Sequence, residues 1–93
     1  MNKDERKHYE NLHKIGCIVC LRMGFGYSEP HIHHIRKGQG MGRKSHWSLA
    51  IPLCPMHHQH GGYGTALHAG QKAFELQFGT ETELLQHTLL ILG

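Results

Sequence analysis

The stretch Leu53-Cys54-Pro55-Met56-His57-His58-Gln59-His60 decides the fold, because it places a thiol and two imidazoles within one helical turn. Cys54 and His57 are three positions apart, so they share one face of a short helix. His58 is one step further round the helix and points elsewhere. A turn of this kind can serve two metal sites, one on each side.

A second pair with the same spacing lies nearer the N-terminus, where two residues also separate Cys17 from Cys20. Zinc favours tetrahedral sites of thiolates and imidazoles, and four protein ligands close a structural site. Two such pairs along one chain are a strong signal for zinc. The sequence therefore predicts a structural Zn²⁺ site on Cys17, Cys20, Cys54 and His57. The simpler alternative is three buried, inert thiols.

Length and composition narrow the class of protein. A chain of 93 residues predicts one domain, whose small core benefits from a metal. Its eleven His are dispersed, which indicates metal binding rather than a purification tag. The charged N-terminus and the lack of a long apolar segment argue against a signal peptide and a membrane protein. We therefore expect a cytoplasmic location, where a Cys-x-x-Cys pair binds metal in preference to forming a disulfide.

Hydrophobic periodicity and turn residues predict the order of the elements. Gly16 ends the first helix, and Thr80 with Glu83 forms a capping box that opens the last. The predicted elements are a helix over 2–14, a zinc knuckle at 17–20, strands over 31–35 and 47–53, a short helix after Cys54, and helices over 71–78 and 81–92. We divide the single domain 1–93 into an N-terminal helix (1–14), a metal-binding core (15–69) and C-terminal helices (70–93).

Several His remain once the predicted zinc site is filled. Those near the predicted hairpin and helix are His33, His34, His58 and His68. Three imidazoles can hold a divalent metal and leave coordination positions open for a phosphate oxygen. A fourth can act as a general base on water, since the pKa of His lies near working pH. Hydrolysis of a phosphodiester needs both an activated water and a cation that stabilises charge on the phosphate and the leaving oxygen.

The order of these motifs resembles the HNH, or ββα-metal, endonuclease fold. A His pair on a first strand, a hairpin, and Leu-Cys-x-x-His-His opening a helix carry the likeness. The chain is most similar to the Ref family of RecA-dependent phage recombination nucleases and to related small phage HNH proteins. The matching segments are 15–20, 31–35, 46–47, 51–54, 57–59, 68 and 78–80. The resemblance implies an α+β fold, a small zinc-stabilised ββα-metal (HNH, or His-Me finger) domain with flanking helices.

The resemblance also implies the roles of single residues. By the match, His33, His58 and His68 hold a catalytic divalent metal (Mg²⁺, Mn²⁺, Ni²⁺ or Zn²⁺), and His34 is the general base. The implied activity is metal-dependent hydrolysis of DNA phosphodiester bonds in phage or prophage recombination or DNA processing, in the host cytosol. The implied partners are DNA and a recombinase filament or another phage or host DNA-processing protein.

A basic segment between the two predicted strands is a candidate for contacts with DNA. Its sequence is RKGQGMGRK, in which glycines alternate with other residues between pairs of cations. Such cations often only solvate a loop, but their place beside the candidate active site favours contacts with phosphates. The predicted nucleic-acid-binding residues are Arg36, Lys37, Arg43 and Lys44.

The sequence leaves two assignments open: which His of the first strand pairs with His33 in the catalytic site, and which of His57 and His58 binds the structural zinc. In a flat strand His33 and His34 point to opposite faces, so both reach one site only if the strand twists, bulges or ends there. The alternative pair is His31 with His33, which share a face. The neighbours His57 and His58 could also exchange roles, although the Cys-x-x-His spacing favours His57 as the zinc ligand.

The central Asn of the HNH motif has no clear counterpart. Its position falls near Leu49, with His46 and Ser48 as the polar neighbours, and a backbone carbonyl is another group that could orient His34. The missing Asn keeps a second function open, a non-catalytic zinc-bound module that binds DNA or protein on the same scaffold. A second metal site and cleavage activity distinguish the two.

Overall fold

A computed structural model describes residues 2–35 and 47–93 of the chain. The predicted α+β class is confirmed, with helices around a two-stranded antiparallel sheet. The elements of the described ranges are α1 Lys3–Ile15, α2 Ile18–Arg22, β1 His31–His34, a 3-10 turn Trp47–Leu49, β2 Ala50–Leu53, a π-helical turn Met56–His60, a 3-10 turn Leu67–Ala69, α3 Gln71–Phe78 and α4 Glu81–Leu92. In these ranges no helix has both the length and the apolar character needed to cross a bilayer.

The N-terminal helix ends at Gly16, as predicted. Gly16 has a φ of 80°, a conformation that glycine adopts at little cost. A Cβ at this position would also lie 2.7 Å from the ring of Tyr27. The hydroxyl of Tyr27 donates a hydrogen bond to the carbonyl of His13 at 2.9 Å. These contacts tie the loop that follows α2 to the end of α1.

The predicted Cys-x-x-Cys knuckle is the start of the short helix α2. Cys17 is its N-cap, and its sulfur accepts a hydrogen bond from the N–H of Cys20 at 3.5 Å. The thiol takes the place that Ser, Thr or Asp usually has at the start of a helix. Both thiols are buried.

The sheet is shorter than the sequence predicts. His33 pairs with Ile51 and His34 with Ala50, which is the last pair of the ladder. The prediction of a strand from residue 47 is wrong for its first three residues, which form a 3-10 turn. Among the described residues the ladder ends at His34 and Ala50, and one further hydrogen bond, from the N–H of Ile35 to the carbonyl of Leu49 at 3.2 Å, joins β1 to the 3-10 turn.

The hydrophobic core surrounds β2, whose four residues are all buried. Helices α1, α2 and α4 all contact this strand. The largest fully buried side chains of the core are Leu12, Ile18, Val19, Ile51, Leu53, Phe74 and Leu84. The predicted helices over 71–78 and 81–92 are confirmed, and so is the capping box, in which Thr80 Oγ1 accepts from the N–H of Glu83 at 3.1 Å. Through α4, this core connects the C-terminal residues to the strand that precedes the Cys54 turn.

Candidate metal centres

The turn after β2 presents adjacent His side chains to two different groups of residues. The N–H of His58 donates to the carbonyl of Cys54, and the N–H of Gly61 donates to the carbonyl of Met56, both at 2.9 Å. The second bond spans five residues, which makes the turn π-helical. Such turns are rare and frequently occur at functional sites. His57 and His58 are both buried, but they contact separate clusters of metal-ligating atoms.

The first group, here called the thiolate cluster, consists of Cys17, Cys20, Cys54 and His57. All four residues are buried, and their ligand atoms lie within 4.8 Å of one another. His57 Nδ1 is 3.2 to 3.6 Å from the three sulfurs, and the sulfurs of Cys20 and Cys54 are 3.8 Å apart. The cluster brings together the four residues that the sequence predicts for the structural zinc.

The distances in the thiolate cluster match the edges of a zinc tetrahedron. With Zn–S bonds of about 2.3 Å and Zn–N bonds of about 2.0–2.1 Å, a regular tetrahedron has S···S edges of about 3.8 Å and S···N edges of about 3.6 Å. The sulfurs of Cys20 and Cys54 are too far apart for a disulfide, at 3.8 Å. The thiolate cluster could therefore hold a structural metal such as zinc.

Burial and hydrogen bonding shift the pKa values of the thiols in this cluster in opposite directions. Burial raises the pKa of the Cys17 thiol to about 12 and also raises the pKa of Cys20. Burial would raise the pKa of Cys54 as well, but hydrogen bonds from the His57 backbone and from the other two thiols lower it on balance. A metal ion would therefore have to displace protons from Cys17 and Cys20 to bind them as thiolates.

The second group, here called the imidazole cluster, consists of His33 on β1, His58 on the π-helical turn and His68 on the following 3-10 turn. Nε2 of His58 lies 3.3 Å from Nδ1 of His33 and 3.0 Å from Nε2 of His68. Ligands at right angles on a metal with bonds of about 2.0–2.1 Å are about 3.0 Å apart, and tetrahedral ones about 3.4 Å. The three nitrogens could therefore share one divalent ion.

The imidazole cluster faces an open cleft of about 660 Å³. The side chains that line the cleft are Ile32, His33, His34, His58, His68, Gln71 and Glu81. His34 is exposed, and it meets the ring of Tyr9 on α1 edge to face, with 6.1 Å between the centroids. Because β1 ends at His34, neighbouring residues of one strand line the same cleft. The structure thus brings the predicted base to the predicted ligands, while their roles stay predictions.

The alternative partner of His33 also approaches this cluster, but from outside the cleft. Nδ1 of His31 lies 3.3 Å from Nδ1 of His58. His58 therefore has an imidazole neighbour at each ring nitrogen, His31 at Nδ1 and the cluster at Nε2. If His58 donates its Nδ1 proton to His31, its Nε2 carries the lone pair that a metal needs.

Burial favours the neutral form of two imidazoles of this cluster, His58 and His68. Burial and the nearby imidazoles lower the pKa of His58 to about 4. Burial and the neighbouring His33 also lower the pKa of His68, although the carboxylate of Glu81 opposes this effect. The neutral form is the one that binds metals.

Glu81 was not among the predicted site residues, but it is the first residue of α4 and is buried in the wall of the cleft. Its Oε2 is 2.6 Å from Nε2 of His33, and its Oε1 accepts from the side-chain amide of Gln71 at 2.8 Å. The sequence holds one signal for a role of Glu81. The capping box needs only Glu83, so Glu81 is a second acid in the first turn of α4 that is not required for capping.

The four predicted DNA-binding cations lie outside the described residues, and so does His46. Arg36, Lys37, Arg43 and Lys44 all fall between residues 35 and 47. Their contact with DNA therefore stays a prediction. The structure describes the residues on either side of this segment. Ile35 directly follows the candidate base His34, and the ring of Trp47 lies 5.4 Å from that of His8.

Comparison with known proteins relates the chain to a family. A search of curated proteins finds no match for this chain. A family model described as "Recombination enhancement, RecA-dependent nuclease" matches residues 2–92. The match includes both metal-ligand clusters and the whole lining of the cleft. The resemblance predicted from the sequence is confirmed, and the chain belongs to the family of recombination-enhancement, RecA-dependent nucleases.

Proposed function

We propose that the chain is a metal-dependent HNH endonuclease that hydrolyses DNA phosphodiester bonds during recombination. The family is one of nucleases, which supports DNA as the substrate. The observation that carries the proposal is the imidazole cluster, whose facing nitrogens lie 3.0 and 3.3 Å apart beside a fourth His in one cleft. The β1–β2 hairpin and the π-helical turn correspond in order to the ββα-metal unit of such enzymes.

Each of the four His side chains of the cleft has a defined task in this reaction. His33, His58 and His68 would hold a divalent ion, which would supply positive charge to stabilise the scissile phosphate and the leaving oxygen. His34 accepts the proton of a water molecule whose oxygen attacks phosphorus. The bond from phosphorus to the 3′-oxygen breaks, and that oxygen takes up a proton, so the products carry a 5′-phosphate and a 3′-hydroxyl. Exposure of His34 lets it reach a water molecule.

The thiolate cluster has a structural task in the proposal. Its four ligands leave no coordination position for substrate, and they are buried. A zinc ion there would join α2 to the π-helical turn and so fix the position of His58. Structural zinc and catalytic metal are thus held by neighbouring residues of one turn.

The general-base assignment can be tested by nicking of supercoiled DNA with added Mg²⁺, Mn²⁺, Ni²⁺ or Zn²⁺. We expect His34→Ala to slow nicking by about 100-fold or more, since general-base catalysis contributes about 10²–10⁴-fold. His13→Ala is the matched control, because this exposed His lies on α1 and does not line the cleft. If His34→Ala nicks as fast as His13→Ala, His34 is not the base.

The substrate assay also separates this proposal from a non-catalytic DNA- or protein-binding module. The family description names RecA, so nicking is measured both on free DNA and on DNA that carries a RecA filament. A nuclease cuts under one of these conditions with a second metal bound. A binding module carries one tightly bound zinc and cuts under neither.

A further inference from the structure

We propose that Glu81, oriented by Gln71, is the residue that positions His33 in the imidazole cluster by fixing which ring nitrogen carries the proton. The inference rests on the proposed function, since it assigns the residue that prepares the proposed metal site. It also extends the site beyond the hairpin and the π-helical turn to the C-terminal helices α3 and α4, which supply Gln71 and Glu81.

The contact between Glu81 and His33 is short and protected from solvent. Glu81 Oε2 lies 2.6 Å from His33 Nε2, and both side chains are only 9% exposed. A buried carboxylate is costly unless its oxygens are hydrogen-bonded. Here each oxygen has a partner, because Gln71 Nε2 donates to the other one at 2.8 Å. The carboxylate is therefore held from two sides and has a fixed direction.

This geometry determines the tautomer of His33. An ionised carboxylate only accepts hydrogen bonds, so the proton of the neutral ring must lie on Nε2. The other nitrogen, Nδ1, then keeps its lone pair. It is the atom that lies 3.3 Å from Nε2 of His58, inside the imidazole cluster. A carboxylate behind a metal-binding imidazole is a known means of setting its orientation and increasing its basicity.

The capping of α4 does not explain why Glu81 is buried. Thr80 and Glu83 already form the capping box, with bonds of 3.1 and 3.2 Å between side chain and backbone. Glu83 is exposed, as an acid in the first turn of a helix usually is. Glu81 is instead 7% exposed and lines the cleft. Its burial is explained by its contact with His33.

Glu81 is a positioning residue rather than a metal ligand. It binds Nε2 of His33, whereas the cluster meets the opposite nitrogen, Nδ1. The imidazole ring therefore stands between the carboxylate and the centre of the cluster. Loss of Glu81 would leave all three proposed ligands in place but would free His33 to protonate Nδ1, which cannot then bind a metal.

The first test is the affinity of the zinc-loaded chain for a second divalent metal, measured by calorimetry. We expect Glu81→Ala to weaken this affinity by about 10- to 100-fold, and Glu81→Gln to weaken it less. Glu83→Gln is the matched control, because it removes a charge from the same helical turn, keeps a capping residue and does not contact His33. We expect its affinity to equal that of the parent.

The second test needs neither metal in the cleft nor activity. Long-range ¹H–¹⁵N correlation spectra of the zinc-loaded chain report which nitrogen of His33 carries the proton. We expect the Nε2-protonated form in the parent and in Glu83→Gln, and a mixture in Glu81→Ala. Should Glu81→Ala fail to fold, Glu81→Gln decides, since an amide can also donate to Nε2 and so removes the preference.

The two tests distinguish failure of this inference from failure of the proposed function. If the tautomer of His33 is the same with and without the Glu81 carboxylate, the inference is wrong, whatever happens to the affinity. If the parent chain binds no second metal, the proposed function loses its catalytic site. In that case the tautomer measurement still decides whether Glu81 positions His33.

Discussion

The two metal-ligand clusters share one turn of chain but differ in almost every physical property. His57 belongs to the thiolate cluster, which is buried throughout and has four protein ligands. His58 belongs to the imidazole cluster, which has three ligands, one of them exposed, and borders a cleft of about 660 Å³. Adjacent residues of a π-helical turn thus contribute to a closed site and to an open one.

This difference indicates how a small chain can combine stability with reactivity. A closed tetrahedral site excludes solvent and uses its binding energy for folding, whereas chemistry needs coordination positions that a substrate can occupy. Because the turn joins both clusters, a metal in the first would hold a ligand of the second in place. The comparison leads to five predictions, and the largest effect is expected for the replacement of His57.

Replacement of His57 should unfold the chain. Structural zinc contributes about 10–16 kcal/mol in small zinc-binding peptides, while a small domain is stable by only about 5–15 kcal/mol. We expect His57→Ala to lose its zinc and its helical circular dichroism at 25 °C. His60→Ala, in the exposed part of the same turn, is the control and should keep both. A folded, zinc-loaded His57→Ala would show that the thiolate cluster does not stabilise the fold.

Replacement of the next residue should leave the fold and remove the activity. We expect His58→Ala to retain one zinc per chain and native circular dichroism. Its DNA nicking should fall by about 100-fold or more, which is typical when a group that stabilises transition-state charge is lost. Metal content and nicking rate are measured on the same sample. Loss of the tightly bound zinc in His58→Ala would mean that His57 and His58 have exchanged roles.

Metal binding to the two clusters should release different numbers of protons. Burial raises the pKa of Cys17 to about 12 and that of Cys20 above its usual value, so both are protonated thiols at pH 7. His58, with a pKa of about 4, is already neutral there. Calorimetry in buffers of different ionisation enthalpy should show at least two protons released by the first metal and fewer by the second.

The same pKa shifts predict that acid weakens metal binding at the thiolate cluster more than at the imidazole cluster. Because at least two protons compete for the thiolate cluster, its affinity should fall by about 100-fold for each pH unit below 7. Burial lowers the pKa of His58 to about 4 and also lowers the pKa of His68, so protons should compete less for these two imidazoles as the pH falls below 7. An imidazole cluster that loses its metal first, between pH 7 and pH 6, would contradict this order.

The smallest effect is expected at the start of α4. Thr80→Ala removes the hydroxyl that accepts from the N–H of Glu83. Loss of an N-cap costs about 1 kcal/mol, which corresponds to a decrease in Tm of about 4–8 °C for a domain of this size. Thr82→Ala, an exposed change in the same turn, should leave Tm nearly unchanged. Equal Tm values for the two variants would show that the capping box does not stabilise α4.

The parts of the molecule that depend on local spacing could be predicted from the sequence. Two residues between Cys17 and Cys20, and again between Cys54 and His57, place each pair within reach of one ion, and the structure brings these four residues together. The end of α3 and the start of α4 were also predictable, because Gly79 is a strong signal for a helix end and Thr80 for a helix start.

The parts that depend on tertiary packing were not predictable in this way. Glu81 looks like any acid in the first turn of a helix, and its burial arises only because α4 meets the hairpin, which brings it to His33. The same holds for Trp47, whose apolar neighbours suggest a strand, although the ladder ends at the pair of His34 with Ala50. In both cases the contact that decides the local structure joins residues that are far apart in the sequence.

The most direct test of the division between the two clusters is DNA nicking measured against the number of metal ions bound per chain. We expect no nicking by a chain that carries one zinc, and nicking that rises as the second metal binds. His58→Ala should stay inactive at every metal concentration while keeping its zinc and its fold. Full activity with a single bound metal, or activity of His58→Ala equal to that of the parent, would contradict the separation of a structural from a catalytic site.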